Sequence, residues 1–439
     1  MNLETVILGA GPAGTGALVW AARNGVLGDW LDAGVAVVEQ SESLGGTMGR
    51  YALNADTLGG TFLECLDGPR CEPELVALRR DPATVALAGW RDRLPPLALA
   101  GRFLDRLGVA LRAMFERHPR SLLLTATTAR QIKLRQDGGV TVVIEQRGRR
   151  REISACSAVM ALGGLQQAAW SEIEIAPGVH LGRWRRKMLE SDTLLTRGGA
   201  ALVARCFDGK REPRAVIIGG AHSAFSCAWL LLDHTPGVAF GSGGIRILHR
   251  KGLRIFYPSR EAAVLDGYAF DEADVCPATG RVFRLAGLRG DGREICRRMR
   301  GLGGLEREDR VVAHAVAAFD RQELIRLLDS ADVIVCATGY RLKTIPMLDA
   351  DGTPIPLAPL PPSVDHTSRL LTANGGALEN VLGVGLGSGF KPWGTMAGEA
   401  SFTGQQNSLW LYQNGLGRSI HDTTRRYARR MLEPLYAHA

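Results

Sequence analysis

Two rhythms of apolar positions organise the chain. Short, mostly apolar runs recur at 5–8, 35–38, 157–162, 215–218, 245–248, 332–337 and 380–384. Runs this short, rich in Val and Ile and closed by glycine or polar residues, predict strands buried on both faces, as in a parallel sheet. Helical spacing lies between them, over 12–24, 97–118, 225–233 and 321–328, with Leu104, Leu107, Leu111 and Phe115 marking the inner stripe of the second. The last stretch, about 405–435, also reads as mostly helical, its Arg425, Arg426, Arg429 and Arg430 forming a solvated outer face. Period-two alternation at 131–134 and 140–145, joined by Asp137-Gly138-Gly139 and followed by a turn at 147–151, predicts a β-meander.

The strand ends carry the chemistry. The first run passes into Gly9-Ala10-Gly11-Pro12-Ala13-Gly14 and then a helix. In a strand–turn–helix of this spacing Gly9 permits the tight turn, Gly11 lets a pyrophosphate approach the backbone, and Gly14 lets the helix pack on its strand. Pro12 suits the first helical turn, and the helix N–H groups and positive dipole end face the phosphates. The second run ends in Glu39, followed by Gln40; a carboxylate there accepts ribose hydroxyls. These residues predict a dinucleotide site. Glycine pairs at Gly45-Gly46-Thr47 and Gly59-Gly60 suggest a segment running beside the ligand, with Gly46 and Thr47 as its candidates; the alternative is a surface loop.

The plan recurs. A strand at 214–218 leads into Gly219-Gly220-Ala221-His222-Ser223-Ala224. Gly219 matches Gly9, while Ala221 and Ala224 stand for Gly11 and Gly14. Ser223 can give a hydroxyl to a pyrophosphate; His222 either helps hold phosphate or is polar surface. The next strand ends in His249-Arg250-Lys251 instead of an acid. Cations there suit the 2′-phosphate of NADPH, which a carboxylate would repel; the alternative is a solvated basic turn.

Composition changes this picture little. The 439 residues suffice for two or three domains, and 54 glycines are the one excess. A net charge of +8 fits an anionic ligand or a basic surface, but the arginines are scattered and no nucleic acid is expected. Eight cysteines include no C-x-x-C and no zinc spacing, so neither metal nor redox disulfide is predicted. The first strand starts within a few residues of the N-terminus and no run of 18 apolar residues occurs, so signal peptide and membrane span are not expected and the cytoplasm is.

In their order along the chain these motifs resemble the flavoproteins with two dinucleotide-binding domains. GAGPAG with Glu39 resembles their FAD site, and Ala161-Leu162-Gly163-Gly164 the A-x-G-G strand end that closes the first FAD segment. GGAHSA with Arg250 and Lys251 resembles their NADPH site, and Ala337-Thr338-Gly339-Tyr340 an A-T-G-Y turn, with Thr338 and Gly339 as candidate contacts. Closest in motif are the single-component flavin monooxygenases, amine N-hydroxylases above all. The fingerprint F-x-G-x-x-x-H-x-x-x-W is kept only as His180-Leu181-Gly182-Arg183-Trp184, with Glu174 and Ala176 at its first two positions. Val384-Gly385-Leu386-Gly387 replaces the usual Gly-Asp, so Gly385 and Gly387 would meet the flavin by backbone N–H.

The resemblance implies an α/β fold of two Rossmann-like domains, with an NADPH-binding domain (206–339) inserted in an FAD-binding domain (1–205 and 340–439). It implies that NADPH reduces FAD and that a C4a-(hydro)peroxyflavin then oxygenates a small substrate, N-hydroxylation of an amine or amino acid being the foremost case. Partners would be that substrate and O2, with a homo-oligomer open. The alternative is an NAD(P)H dehydrogenase serving a quinone or protein acceptor without oxygen insertion. Such chemistry needs a water-poor pocket more than a protein nucleophile. The one catalytic candidate is Lys391, near Trp393; the alternative is a solvated loop lysine.

Overall fold

The computed structural model describes residues 3–166 and 173–436, the last five by backbone alone. Strand Leu3–Leu8 is buried at all six positions. Parallel neighbours flank it, Val35–Val38 on one side and the end of Arg149–Met160 on the other. The apolar run expected at 157–162 is therefore the upper end of a 12-residue strand. Its first half pairs antiparallel with Val140–Gln146, and its last residues pair parallel with Ala377–Gly383. Meander and parallel strands thus belong to one nine-stranded sheet, which the chain re-enters near its end.

Helix Leu97–Glu116 buries Leu104, Leu107, Leu111 and Phe115 against this sheet's core. Two glycines on it admit a second backbone: a Cβ on Gly101 would lie 2.4 Å from Gly49 Cα, and one on Gly108 2.8 Å from Leu44 Cβ. The loop 44–49 is held there, between this helix and the first glycine turn.

The second sheet has five parallel strands, in the order Met188–Glu190, Val333–Cys336, Ala215–Ile218, Ile245–His249 and Val311–Ala315. Apolar clusters cover both faces. One is built with helices His222–His234 and Gly290–Arg300, the other with helix Arg321–Ser330 and Trp184. The basic run 183–187 is partly structural: Lys187 Nζ donates to the carbonyls of Asp329 and Ala331 at 2.7 Å, satisfying the end of helix Arg321–Ser330.

Two expectations are corrected. Helix His222–His234 starts three residues before the expected 225, so His222, Ser223 and Ala224 form its first turn instead of a loop. The C-terminal stretch is two helices, Leu409–Gln413 and Gly415–Tyr436, broken at Asn414. Nor is its arginine face wholly solvated, because Arg425 turns inward to the buried Glu4 at 3.3 Å. Among the described residues no helix is long and apolar enough to cross a membrane.

Candidate active site

The first glycine turn is closed on three sides by backbone. Gly9 has φ +99°, and a Cβ on it would lie 2.3 Å from the Ala161 carbonyl oxygen. A Cβ on Gly14 would overlap the Gly9 carbonyl at 1.9 Å, so the helix lies directly on the turn. Gly11 is different: its Cβ would meet only Gly46 Cα, at 3.8 Å. Its lack of a side chain is not required by protein packing. Gly46, φ +80°, faces Gly11 Cα and Pro12, while Gly45 N–H donates to the Ala10 carbonyl at 3.0 Å. Gly385, φ +115°, closes from above, its Cβ position 3.5 Å from Ala13 Cβ. Gly387 packs instead on the backbone of Arg341. Glu39 fixes the mouth of the turn: Oε2 accepts the Ala10 N–H at 2.6 Å, and Oε1 accepts the N–H and hydroxyl of Ser41 at 2.8 and 2.6 Å. Gln40 and Thr47 are exposed at its rim.

The second turn repeats the main contacts of the first. A Cβ on Gly219, φ +143°, would lie 2.3 Å from the Ala337 carbonyl oxygen. Ala337 N–H donates to Ile218 O at 2.8 Å, as Ala161 N–H does to Leu8 O. The residues ahead of the two helices, Gly11 and Ala221, are both extended, with ψ −179° and −174°. In register, His249 takes the place of Glu39, since Ile218 pairs with Leu248 as Leu8 pairs with Val38. Arg250 and Lys251 follow it, both exposed. Gly220, Ala221, Thr338 and Gly339 are exposed too. Ser223 and Ala224 lie in the helix's first turn. His222 is committed elsewhere: its Nε2 accepts the Arg289 N–H at 3.1 Å, and burial pushes the imidazole below its ordinary pKa, keeping it neutral.

Both turns open on one crevice. The chain leaves the first sheet through Ala161 and Gly163 into strand Gly164–Gln166, and leaves the second through Ala337 and Gly339 into strand Tyr340–Leu342. These two strands pair antiparallel, Gly164 opposite Leu342. One ribbon therefore joins the carboxyl ends of the two sheets, where ligands of open α/β sheets bind. A Cβ on Gly163 or Gly339 would project into open space. Leu165 and Leu386, 49% and 45% exposed, give the ribbon region an apolar surface.

Further contacts tie the lobes. Asn54 donates to Asp291, and the Tyr51 hydroxyl and Arg50 both meet Asp192. Glu399, buried, accepts the N–H groups of Leu285 and Ala286 at 2.8–3.0 Å. The sequence singles out none of these residues, because each depends on long-range juxtaposition. Lys391 is exposed in the loop after strand Ala377–Gly383, beside the exposed Trp393, whose indole donates to His366 O at 2.7 Å. No contact brings Lys391 to either glycine turn.

No family model matches the chain. It is 32% identical over 438 residues to the CMP-5′-(3-aminopropyl)phosphonate hydroxylase of Streptomyces rubellomurinus, covering 95% of this chain and 96% of the relative. Solved structures of similar fold include the ornithine hydroxylase of Pseudomonas aeruginosa, 12% identical with a TM-score of 0.53, covering 98% of this chain and all of that one. The ornithine N-hydroxylase of a Kutzneria species, solved with reduced FAD, NADP+ and L-ornithine, is 14% identical with a TM-score of 0.51, covering 97% of this chain and all of that one. A cadaverine monooxygenase from Erwinia amylovora, bound to FAD, is 12% identical with a TM-score of 0.52, covering 98% of this chain and 94% of that one. With 32% of residues identical along nearly the whole of both chains, the protein belongs to one family with the Streptomyces hydroxylase, and it shares the fold of the flavin-bound enzymes and the ornithine hydroxylase named above.

Proposed function

We propose that the first glycine turn holds FAD, that the second holds NADPH, and that the enzyme N-hydroxylates a primary amine carried on a small phosphonate or nucleotide-linked molecule. The first and last parts of the chain would form the FAD-binding Rossmann-like domain, with the NADPH-binding one inserted in it. We draw the first boundary ahead of strand Met188–Glu190, which lies in the second sheet, in place of the expected 205/206, and keep the second near 339. An enzyme fed by NADPH works where that coenzyme is maintained, and we place it in the cytoplasm. The observation that carries the reading is that two matching turns, one with a carboxylate after its second strand and the other with His249, Arg250 and Lys251 there, lie at sheet ends joined by one ribbon.

The residues present fit both coenzymes. Gly11 leaves room that packing does not need, Glu39 presents a fixed carboxylate at the mouth, and Gly163 borders open space. Bound FAD, once reduced by NADPH, supplies the electrons and the oxygen activation for hydroxylation. The chain supplies position and exclusion of water. Backbone N–H groups of the helices starting at Pro12 and His222 face the two diphosphates. Glu39 accepts from ribose hydroxyls, and Arg250 and Lys251 take the 2′-phosphate. Leu165 and Leu386 provide the apolar wall against which reactive species are kept from water.

The activity of the Streptomyces relative supports the hydroxylase reading over electron delivery to a quinone or protein acceptor. Turnover under 18O2 with an aminoalkylphosphonate nucleotide tests it. One labelled oxygen on the product nitrogen is expected; unlabelled product, or NADPH oxidation that only reduces an added quinone, would replace the reading with the reductase.

A further inference from the structure

Four arginines of the stretch between strands Ile245–His249 and Val311–Ala315 crowd the crevice, each over an aromatic ring. Arg289 lies 3.7 Å from the centroid of Phe256, Arg293 4.9 Å from Tyr257, Arg254 5.3 Å from Phe283 and Arg284 5.4 Å from Trp410. Bonds of Arg254 and Arg284 cross between the lobes, with Arg289 bonded to Arg284 and Arg293 one helical turn beyond it. Arg289 N–H meets His222 at the head of the second coenzyme turn, while Arg284 Nη1 donates to Ala397 O at 3.0 Å and Arg254 Nη1 to Ser401 O at 3.5 Å in the first lobe. Next to Arg289, Gly290 presses on the Ala55 carbonyl.

Among the described residues none of the four has a carboxylate within 4.0 Å. Of the nearby acids, Asp291 is engaged with Asn54, Glu294 with Arg297 and Glu399 with backbone N–H groups, while the exposed Asp56 acts on Arg289 from beyond ion-pair distance. Burial pushes the Arg289 guanidinium down to about 10, so its charge is held at a cost. A guanidinium stacked on a ring keeps its donor edge free for a bidentate oxyanion. Arg289 Nη2 donates to Arg284 O at 2.7 Å, which fixes its plane and leaves its other donors. The coenzyme does not call for this group, because the second turn has its own cations in Arg250 and Lys251 beyond strand Ile245–His249.

We propose that Arg289, with Arg293 and Arg284 beside it, binds the phosphoryl or phosphonyl oxygens of the substrate and so selects an anionic amine over the amino acids that the ornithine hydroxylases take. The proposal rests on the N-hydroxylase reading for the word substrate, but the anion site itself does not.

The test is calorimetric titration of cytidine 5′-monophosphate, as probe, into the FAD-loaded protein, beside a titration of NADP+. Losing a charge-assisted bidentate contact, Arg289→Gln and Arg293→Gln should each weaken the probe about ten- to a hundredfold and NADP+ by less than about twofold. Arg289→Lys keeps the charge without the fork and should fall between; with Arg293→Gln it decides the matter if Arg289→Gln does not fold. In turnover with an aminoalkylphosphonate nucleotide, KM should rise with kcat nearly kept. Unchanged binding of the probe, or a parallel loss of NADP+, would overturn the assignment, the second outcome giving the cluster to the coenzyme. If no amine is hydroxylated while the probe still depends on Arg289, the function falls and the anion site stands.

Discussion

The two glycine turns share a backbone and differ in what surrounds it. Around the first, loop 44–47 and Gly385 close in, Gly9 and Ala10 are buried, and a carboxylate is pinned across the mouth. The second has the same Cβ-excluding contact with an alanine carbonyl, yet Gly220, Ala221, Thr338 and Gly339 face solvent and cations replace the acid. Strand–turn–helix geometry thus makes a diphosphate cradle. On the proposed assignment, enclosure governs whether an occupant stays, and the charge just after the second strand of each unit governs which dinucleotide enters. An enclosed flavin should survive gel filtration, whereas NADP+ should wash away.

That comparison can be broken most severely at its shared element. Gly9→Ala and Gly219→Ala each drive a Cβ into a carbonyl at positive φ, and each should cost on the order of 3–5 kcal/mol. In urea melts with flavin absorbance recorded, Gly9→Ala should lose the colour and Gly219→Ala should keep it while losing reduction by NADPH. If Gly219→Ala also bleaches the protein, the lobes are not separable in this way.

Charge comes next. Reversing Arg250 and Lys251 to Glu should raise KM for NADPH about a hundredfold and for NADH by less than about threefold; equal losses would remove the 2′-phosphate assignment. Gly11→Ala is subtler. The protein offers that Cβ 3.8 Å of clearance, so the melting of flavin-free protein should hardly move while the FAD Kd rises about tenfold. Its mirror, Ala221→Gly, should change NADP+ affinity by less than about 1 kcal/mol.

The smallest effect concerns acid. Glu308 in the second lobe accepts from Arg298 and Arg310 at 2.6–2.9 Å, which pulls its carboxyl from 4.5 to about 2. A carboxyl depressed by folding stabilises above its ordinary value and loses that contribution as pH falls through the depressed one. Glu308→Gln should therefore lower the melting temperature at pH 7, and the gap should close between about pH 4.5 and 2. A gap independent of pH would show that packing, not charge, holds that corner.

Both elbows, the helix at 97–116 and the meander were legible because each is local: glycine spacing, apolar period and a turn dipeptide carry them. The packing of the Ala161 and Ala337 carbonyls on distant glycines was not legible, although the motifs holding both residues were, and neither was Glu399, since a carboxylate meeting another lobe's N–H leaves no periodic trace. Strand Met188–Glu190 is too short to show a period. The crevice arginines had a signal that went unused, namely Arg254, Arg284, Arg289 and Arg293 interleaved with Phe256, Tyr257 and Phe283. For His222 the sequence leaves phosphate contact and polar surface open, and its ring nitrogen accepts the Arg289 N–H.

Glu399 has a mechanical corollary. Swinging the lobes apart would strip a buried carboxylate of the amide hydrogens that neutralise it, a penalty of several kcal/mol. A wide clamshell opening between cycles is thereby discouraged. Traffic through the crevice would then fall to the small molecules themselves: on the proposed function, a nicotinamide ring and an amine would take turns inside walls that hardly part.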